Sequence, residues 1–328
     1  MGTKRKVSSK QWLRWLLPLF AVCLAVGIYI VQGLPGLKPP VVWPSGNLGE
    51  FVLPDIHDEA GYAVFIDVGQ GDATLLISRG HAVLVDAGPP GAEDVVLEVM
   101  RACGVEKLDA VVATHPHADH IGGMRKVLET VPVDAIFMPK AVSSSVTFAR
   151  LMETISSQGK KIKAPVPGDT LAVGGFDITF LWPEKDYEDT KNMNNNSIVL
   201  RAEFEGKRLL LTGDMEKKVE KTLVEQDADL RADVLKVGHH GSNTSSTKAF
   251  LAQVNPHYTV IMCDGVSYNH PHTKVMERLM DLGVDIYRTD RNGTVVCRLA
   301  KEGITFTVES QNKERPAPVS SYDADDTE

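Results

Sequence analysis

The stretch that most narrows what this chain can become is LDAVVATHPHADHIGG, residues 108–123. Residues 110–113 are apolar and partly β-branched, a run suited to a buried strand. The run opens at Thr114 into His115, Pro116, His117, Ala118, Asp119 and His120. Gly122 and Gly123 then permit a tight turn into a helix expected to start near Met124. Imidazoles and a carboxylate at the mouth of a strand make a poor structural core. Neutral imidazole and carboxylate are the usual ligands of zinc, manganese and iron, and this loop presents His115, His117, Asp119 and His120 together. Divalent cations are therefore expected here.

The remaining apolar runs supply a frame. Residues 62–67 (YAVFID), 73–78 (ATLLIS) and 81–86 (HAVLVD) read as short strands joined by tight turns, and 92–103 has helical spacing. After the histidine loop come a strand at 135–138, a helix at 146–157 and a strand at 176–181. Residues 198–204 and 208–211 form a hairpin around Glu205 and Gly206, followed by a helix at 215–226 and a strand at 233–237. The last third alternates: a helix from Thr247, a strand at 258–263, a helix at 272–282, then strands near Asp285 and Thr294. Two halves of strands followed by helices predict two sheets face to face with helices outside.

Several of these strands end in polar groups. Asp214, in LLLTGDM, can bridge two cations through its two oxygens, and equally suits the N-cap of the following helix. His239 and His240, in KVGHHGSNTSS, cannot both enter one core from a strand, because successive side chains alternate faces. At a strand end one can ligate while the other stays free for acid–base work. His239 is the expected ligand and His240 the expected proton donor, with the reverse order open. His270 and His272, in NHPH, are candidates for metal contact, substrate contact or a helix cap. Asp86, in LVDAG, is expected behind the site, fixing the histidine loop through hydrogen bonds. Asp67 and Asp72, in FIDVGQGDA, either act likewise or are ordinary turn carboxylates.

In chain order FIDVGQGDA, THPHADHIGG, NNNSIVL, LLLTGDM, DVLKVGHHGSNTSS and NHPH resemble the metallo-β-lactamase fold superfamily. Within it they resemble the metallo-hydrolase domain of ComEC-type DNA-uptake proteins, over residues 61–308. The resemblance implies an α/β fold, a four-layer αβ/βα sandwich. It also implies two divalent metals, Zn2+ or Mn2+: His115 and His117 on the first, Asp119 and His120 on the second, and Asp214 between them. Asp119 and His240 are the expected catalytic residues. One departure matters. The superfamily's third histidine ligand is missing, since no histidine lies between His120 and Asp214. Asn194, Asn195 or Asn196 stands in that region, as in the ComEC branch, with Asn195 the nominal candidate. An amide oxygen is a weaker, harder ligand than imidazole, so one site is expected to be loose or to hold manganese.

The implied chemistry is hydrolysis by a metal-activated hydroxide. A phosphodiester in DNA or a cell-envelope component is the first-choice substrate. Alternatives are a β-lactam or lactone hydrolase, or a non-catalytic metal-stabilised DNA-binding module beside a separate DNA-uptake channel. ComEC-type channels carry many membrane spans, whereas this sequence shows one candidate. Lys4, Arg5, Lys6, Lys10 and Arg14 precede an apolar run at 16–31. That pattern predicts a membrane anchor over 1–34 with a cytoplasmic N-terminus and the rest beyond the membrane. No small-x-small site follows, which disfavours the competing cleaved signal and secretion. Residues 35–60 are rich in proline and glycine and read as a linker, and 309–328 as a disordered acidic tail.

The formal charge is −8 although the first charged residues are all basic, so the body is acidic. An acidic body lacks the basic stripe of a broad nucleic-acid surface, although bound cations would reverse the sign locally. The 4 cysteines form no CxxC pair and are expected to pack as small apolar residues.

Overall fold

The computed structural model describes residues 59–309. The expected anchor, most of the linker and the acidic tail lie outside the described residues. Among the described residues no helix is long and apolar enough to cross a membrane. The first strands are β1 (Gly61–Phe65), β2 (Thr74–Ser78), β3 (His81–Val85), β4 (Leu108–Val112), β5 (Val133–Phe137) and β6 (Ile162–Lys163). Next come β7 (Thr170–Val173), β8 (Phe176–Trp182), β9 (Val199–Phe204), β10 (Lys207–Leu211), β11 (Val234–Lys236), β12 (Tyr258–Ile261) and β13 (Asp285–Arg288). β14 (Val295–Ala300) and β15 (Gly303–Val308) close the series. They form an 8-stranded sheet, β15-β14-β1-β2-β3-β4-β5-β6, and a 7-stranded sheet, β13-β12-β11-β10-β9-β8-β7.

Strands β1 and β2 are buried at every position, and a strand apolar on both faces needs cover on both. On one face Phe65, Leu76, Val83, Val85 and Val112 share a core with Ile178, Phe180, Leu200, Leu211 and Val234 of the second sheet. The Phe137 and Phe180 rings meet across this gap at 5.0 Å. Val64, Leu75, Leu84 and Val111 have the opposite parity and are just as buried. Their cover comes from helices Glu93–Ala102, Met124–Thr130 and Val146–Ser157, which bury Val96, Met100, Val127 and Leu151. Outside the second sheet, Val199, Leu210, Leu235 and Ile261 pack with Val219, Leu223, Phe250, Leu251, Val275 and Leu279. Each fully buried Leu, Ile or Phe side chain contributes about 1.5–3 kcal/mol, so this packing sets the four-layer αβ/βα order.

The expected split into two consecutive halves holds as far as β13. β14 and β15 then return to the first sheet, where β14 pairs antiparallel with β1 and Val64 faces Val296. The physical reason lies in β1, whose second edge would otherwise expose unpaired peptide groups. The start of the helix after Asp214 also differs. It spans Lys217–Glu225 with Glu216 at the N-cap position, so Asp214 does not cap it.

Parallel neighbours β3-β4-β5-β6 and β10-β11-β12-β13 make up one side of each sheet. Ligand sites in α/β sheets lie at carboxyl ends of parallel strands, and here the loops after β3, β4, β10 and β11 carry the polar groups. Ile198 N–H donates to the Thr114 carbonyl at 2.8 Å, joining the sheets at this rim, and Asp214 N–H donates to Ser197 Oγ at 3.0 Å within the second sheet.

Candidate metal centre

Asp86, after β3, organises the histidine loop. It accepts hydrogen bonds from Thr114 N–H at 2.8 Å, Thr114 Oγ1 at 2.7 Å and His120 Nδ1 at 2.8 Å. Holding Nδ1 fixes the ring so that His120 Nε2 faces Asp214 Oδ2 at 3.2 Å. Gly122 serves close approach rather than a special φ. A β-carbon there would lie 2.1 Å from Pro90 N.

Asp214 Oδ2 is the hub of the site. His120 Nε2, His240 Nε2, His239 Nε2 and His115 Nε2 lie 3.2, 3.3, 3.8 and 4.0 Å from it. Asp119 Oδ2 is 3.2 Å from His240 Nε2, and the ring of His117 sits 4.6 Å from that of His115. Ligand atoms of Asp119, His120, Asp214 and His240 all fall within 4.8 Å of one another. His115 Nε2, His120 Nε2 and Asp214 Oδ1 are buried without a hydrogen-bond partner. Buried polar atoms in folded proteins are nearly always partnered. Orphans converging on one carboxylate fit a divalent cation among Asp119, His120, Asp214 and His240, with His115 and His117 packed beside them.

The electrostatics agree. Burial opposes charge on His120, yet Asp214, Asp86 and Asp119 hold its pKa well above the ordinary value. His240 behaves alike, with burial overcome by Asp214, Asp72 and Asp119. Burial, then the charge of neighbouring histidines, pushes His115 well down. Burial also lowers His117. Asp119 and Asp214 are desolvated, but the imidazolium groups around them keep both carboxyls below the usual range.

The two histidines, whose order the sequence left open, are placed differently. His240 is buried, with Nδ1 against the Met262 carbonyl at 2.9 Å and Nε2 inside the cluster. His239 lies on the open side, its Nδ1 3.0 Å from Thr244 Oγ1 and 3.5 Å from Glu216 Oε1. The alternation argument does not apply, because β11 ends at Lys236. The pair occupies a left-handed turn, with φ 49° at His239 and 51° at His240. His270 is nearly buried, its ring 5.6 Å from that of His239. Burial and the charge of His239 and His240 push its pKa down to about 4. His272 is used elsewhere: its Nδ1 accepts from Lys274 N–H at 3.1 Å and caps the helix Thr273–Leu282. Asp67 is a turn carboxylate that accepts from Gly69 N–H at 3.2 Å.

The family model of the metallo-β-lactamase superfamily matches residues 66–266. The chain belongs to this superfamily. It is 32% identical over 278 residues to ComE operon protein 3 of Bacillus subtilis, covering 79% of this chain and 35% of that protein. It is 33% identical over 298 residues to competence protein ComA of Neisseria gonorrhoeae, covering 88% of this chain and 40% of that protein. Its homologues are thus ComEC-type competence proteins, of which it spans well under half the length. Among solved structures, a variant of the CmlA β-hydroxylase superposes with TM-score 0.50 at 14% identity, over 75% of this chain and 54% of that one, a likeness of fold alone.

For a superfamily member lacking a third histidine, the turn Met193–Asn196 is informative. Asn194, rather than Asn195, faces the histidines: its Nδ2 is 3.5 Å from His239 Nε2, and its Oδ1 is buried without a partner. The amide nitrogen of Asn195 instead donates to Asp189 at 3.1 Å, and Asn196 brackets the Asp189 backbone. Sequence reasoning missed two residues. Lys236 is buried, paired with Asp72, and places Nζ 3.8 Å from Asp214 Oδ1 and 3.2 Å from the Gly213 carbonyl. Its signal was parity, since Lys236 shares the face of Val234, which enters the core between the sheets. Asp72 also faces His240 Nδ1 at 3.3 Å. Glu216, the second residue, has no comparable signal, because its place depends on the delayed helix start. Cys103, Cys263 and Cys297 are buried and free, as packers are.

Proposed function

We propose that this chain is a membrane-anchored, metal-dependent phosphodiesterase whose catalytic domain lies beyond the cytoplasm. The carrying observation is the hub: one oxygen of Asp214 within 4.0 Å of imidazole nitrogens from His115, His120, His239 and His240. His115, His117, Asp119, His120, Asp214 and His240 would hold two divalent cations, Zn2+ or Mn2+, with the Asn194 amide oxygen as the added donor. Bound there, such cations supply Lewis acidity toward a phosphoryl oxygen and lower the pKa of a water to near neutrality.

The chain's own residues supply the remaining roles. His239, on the open side and oriented through Nδ1 by Thr244 and Glu216, is the group placed to protonate the leaving oxygen. His270, neutral at pH 7, offers a ring N–H to a substrate phosphate oxygen at the rim. Lys236 places a fixed positive charge behind Asp214. The competence-related relatives support DNA as substrate and work beside a separate uptake channel; a cell-envelope phosphodiester is the other source of the same chemistry. The basic flank before the apolar run at 16–31 supports the anchor.

The test pairs elemental analysis with bis-p-nitrophenyl phosphate turnover on the full chain and on Asp214→Ala. About two metals per wild-type chain, with turnover lost in the variant, is expected. A metal-loaded wild type with no activity on any phosphodiester would overturn the reading.

A further inference from the structure

Beside the metal centre, the turn between β12 and the helix Thr273–Leu282 holds large side chains outward. Val266 is 63% and Tyr268 64% exposed, and Tyr268 is the one aromatic among the large exposed hydrophobics of the described residues. Tyr268 and Asn269 both adopt left-handed backbone, φ 54° and 58°. A bulky residue rarely occupies that region unless its surroundings impose it. Here they do. Asp264 clamps the turn, accepting from Val266 N–H at 2.9 Å, Ser267 N–H at 2.7 Å and Ser267 Oγ at 2.6 Å. Gln70 ties it to the site floor: its Oε1 accepts from Asp264 N–H at 3.4 Å and its Nε2 lies 3.5 Å from His270 Nδ1. The strain is not repaid by burying the ring, so the benefit lies outside the fold.

The rings form a short series from solvent to hub. Tyr268 lies 5.9 Å from His270, and His270 5.6 Å from His239, which touches the Asp214 cluster. A phosphate seated at His239 and His270 would bring the nucleoside attached to it beside the Tyr268 ring.

We infer that Tyr268, flanked by Val266, is a stacking platform for a nucleobase, and that the substrate is a single-stranded nucleic acid rather than a small phosphodiester. The inference rests on the phosphodiesterase reading and narrows it. Aromatic platforms bind bases of any sequence, because every base presents a π-face, and they need unpaired bases.

The experiment uses the full chain loaded with Mn2+, a single-stranded oligodeoxynucleotide and an abasic strand of equal length. The readout is the ratio of kcat/KM for the two strands. Wild type should prefer the base-bearing strand, and Tyr268→Ala should lower that preference about tenfold, the scale of one base–aromatic stack. Tyr268→Phe should restore it, with metal content unchanged in both variants. Equal losses on both strands in Tyr268→Ala, or an unchanged ratio, would overturn the platform. If wild type cleaves neither strand, the hydrolase reading fails by itself, and the same ratio read as binding by fluorescence anisotropy decides the platform. Wild-type binding without base preference would then sink it.

Discussion

His239 and His240 sit side by side in left-handed backbone, a conformation costing about 1–2 kcal/mol per non-glycine residue. Packing holds them there: Met262 fixes one ring, and Thr244 with Glu216 fixes the other. The result is a division of labour that separates by measurement. His240→Ala should lower bound metal together with turnover. His239→Ala should keep its metal and lose about 10²- to 10⁴-fold in turnover, the scale of general acid catalysis. Elemental analysis beside turnover distinguishes the variants, and metal loss of equal extent in both would refute the assignment. Lys236 invites a second substitution. Removing one partner of a buried ion pair leaves the other charge unpaired, so Lys236→Met should destabilise the metal-free protein by about 3–5 kcal/mol. Urea unfolding would show this, and Asp72→Asn in the same background should recover part of the loss. Additivity of the two changes would mean that the pair is not coupled.

At the scale of elements, the turn Met193–Asn196 depends on a carboxylate outside it. Asp189 accepts from Lys191 N–H at 3.1 Å, Asn192 N–H at 3.0 Å, the Asn195 amide at 3.1 Å and Lys218 Nζ at 2.8 Å. Desolvation works against its charge, but Lys218 and these donors hold its pKa down to about 2. A depressed carboxyl stabilises the fold above its unfolded pKa of about 3.9. That contribution is lost as pH falls through the folded value. The stability gap between wild type and Asp189→Asn should therefore be full near neutrality and shrink as the solution is acidified from about pH 4 to about pH 2. A gap that stays constant in urea midpoints across this range would contradict the linkage. The same element marks where sequence reading stops. Strands such as YAVFID and the loop THPHADHIGG were legible because apolar runs and clustered ligands are local properties. Which asparagine faces the histidines was not legible, because Asp189 captures two of the three through contacts made only after folding. The return of β14 to β1 was hidden likewise: VVCRLA reads as a strand, but nothing local names its partner.

Across the whole molecule, the loop after β4 of the first sheet brings His115, His117, Asp119 and His120, the second sheet brings Asp214 and His240, and the histidines so gathered differ in how they hold protons. His120 and His240 are held well above the ordinary histidine value by the carboxylates around them. His115 and His117 are pushed below it, first of all by burial. A cation must displace any proton from the nitrogen it binds, so metal affinity falls with pH once a ligand begins to protonate. For the Asp119, His120 and His240 side, that fall starts at the raised values as pH is lowered. For the His115 and His117 side, it waits until the lowered values are reached. Acidification should therefore release metal in two steps, the Asp119–His120–His240 cation first, and uptake of that cation near neutrality should release protons to the buffer. Metal retained per chain after equilibration with a chelator over a pH series gives the order. Calorimetry in buffers of different ionisation enthalpy gives the proton count. The variant His240→Ala assigns the steps, because it should abolish the one at higher pH and leave the other. Loss of both cations in one transition, with no proton release near pH 7, would show that the shared Asp214 couples the two sides too tightly for their imidazoles to act separately.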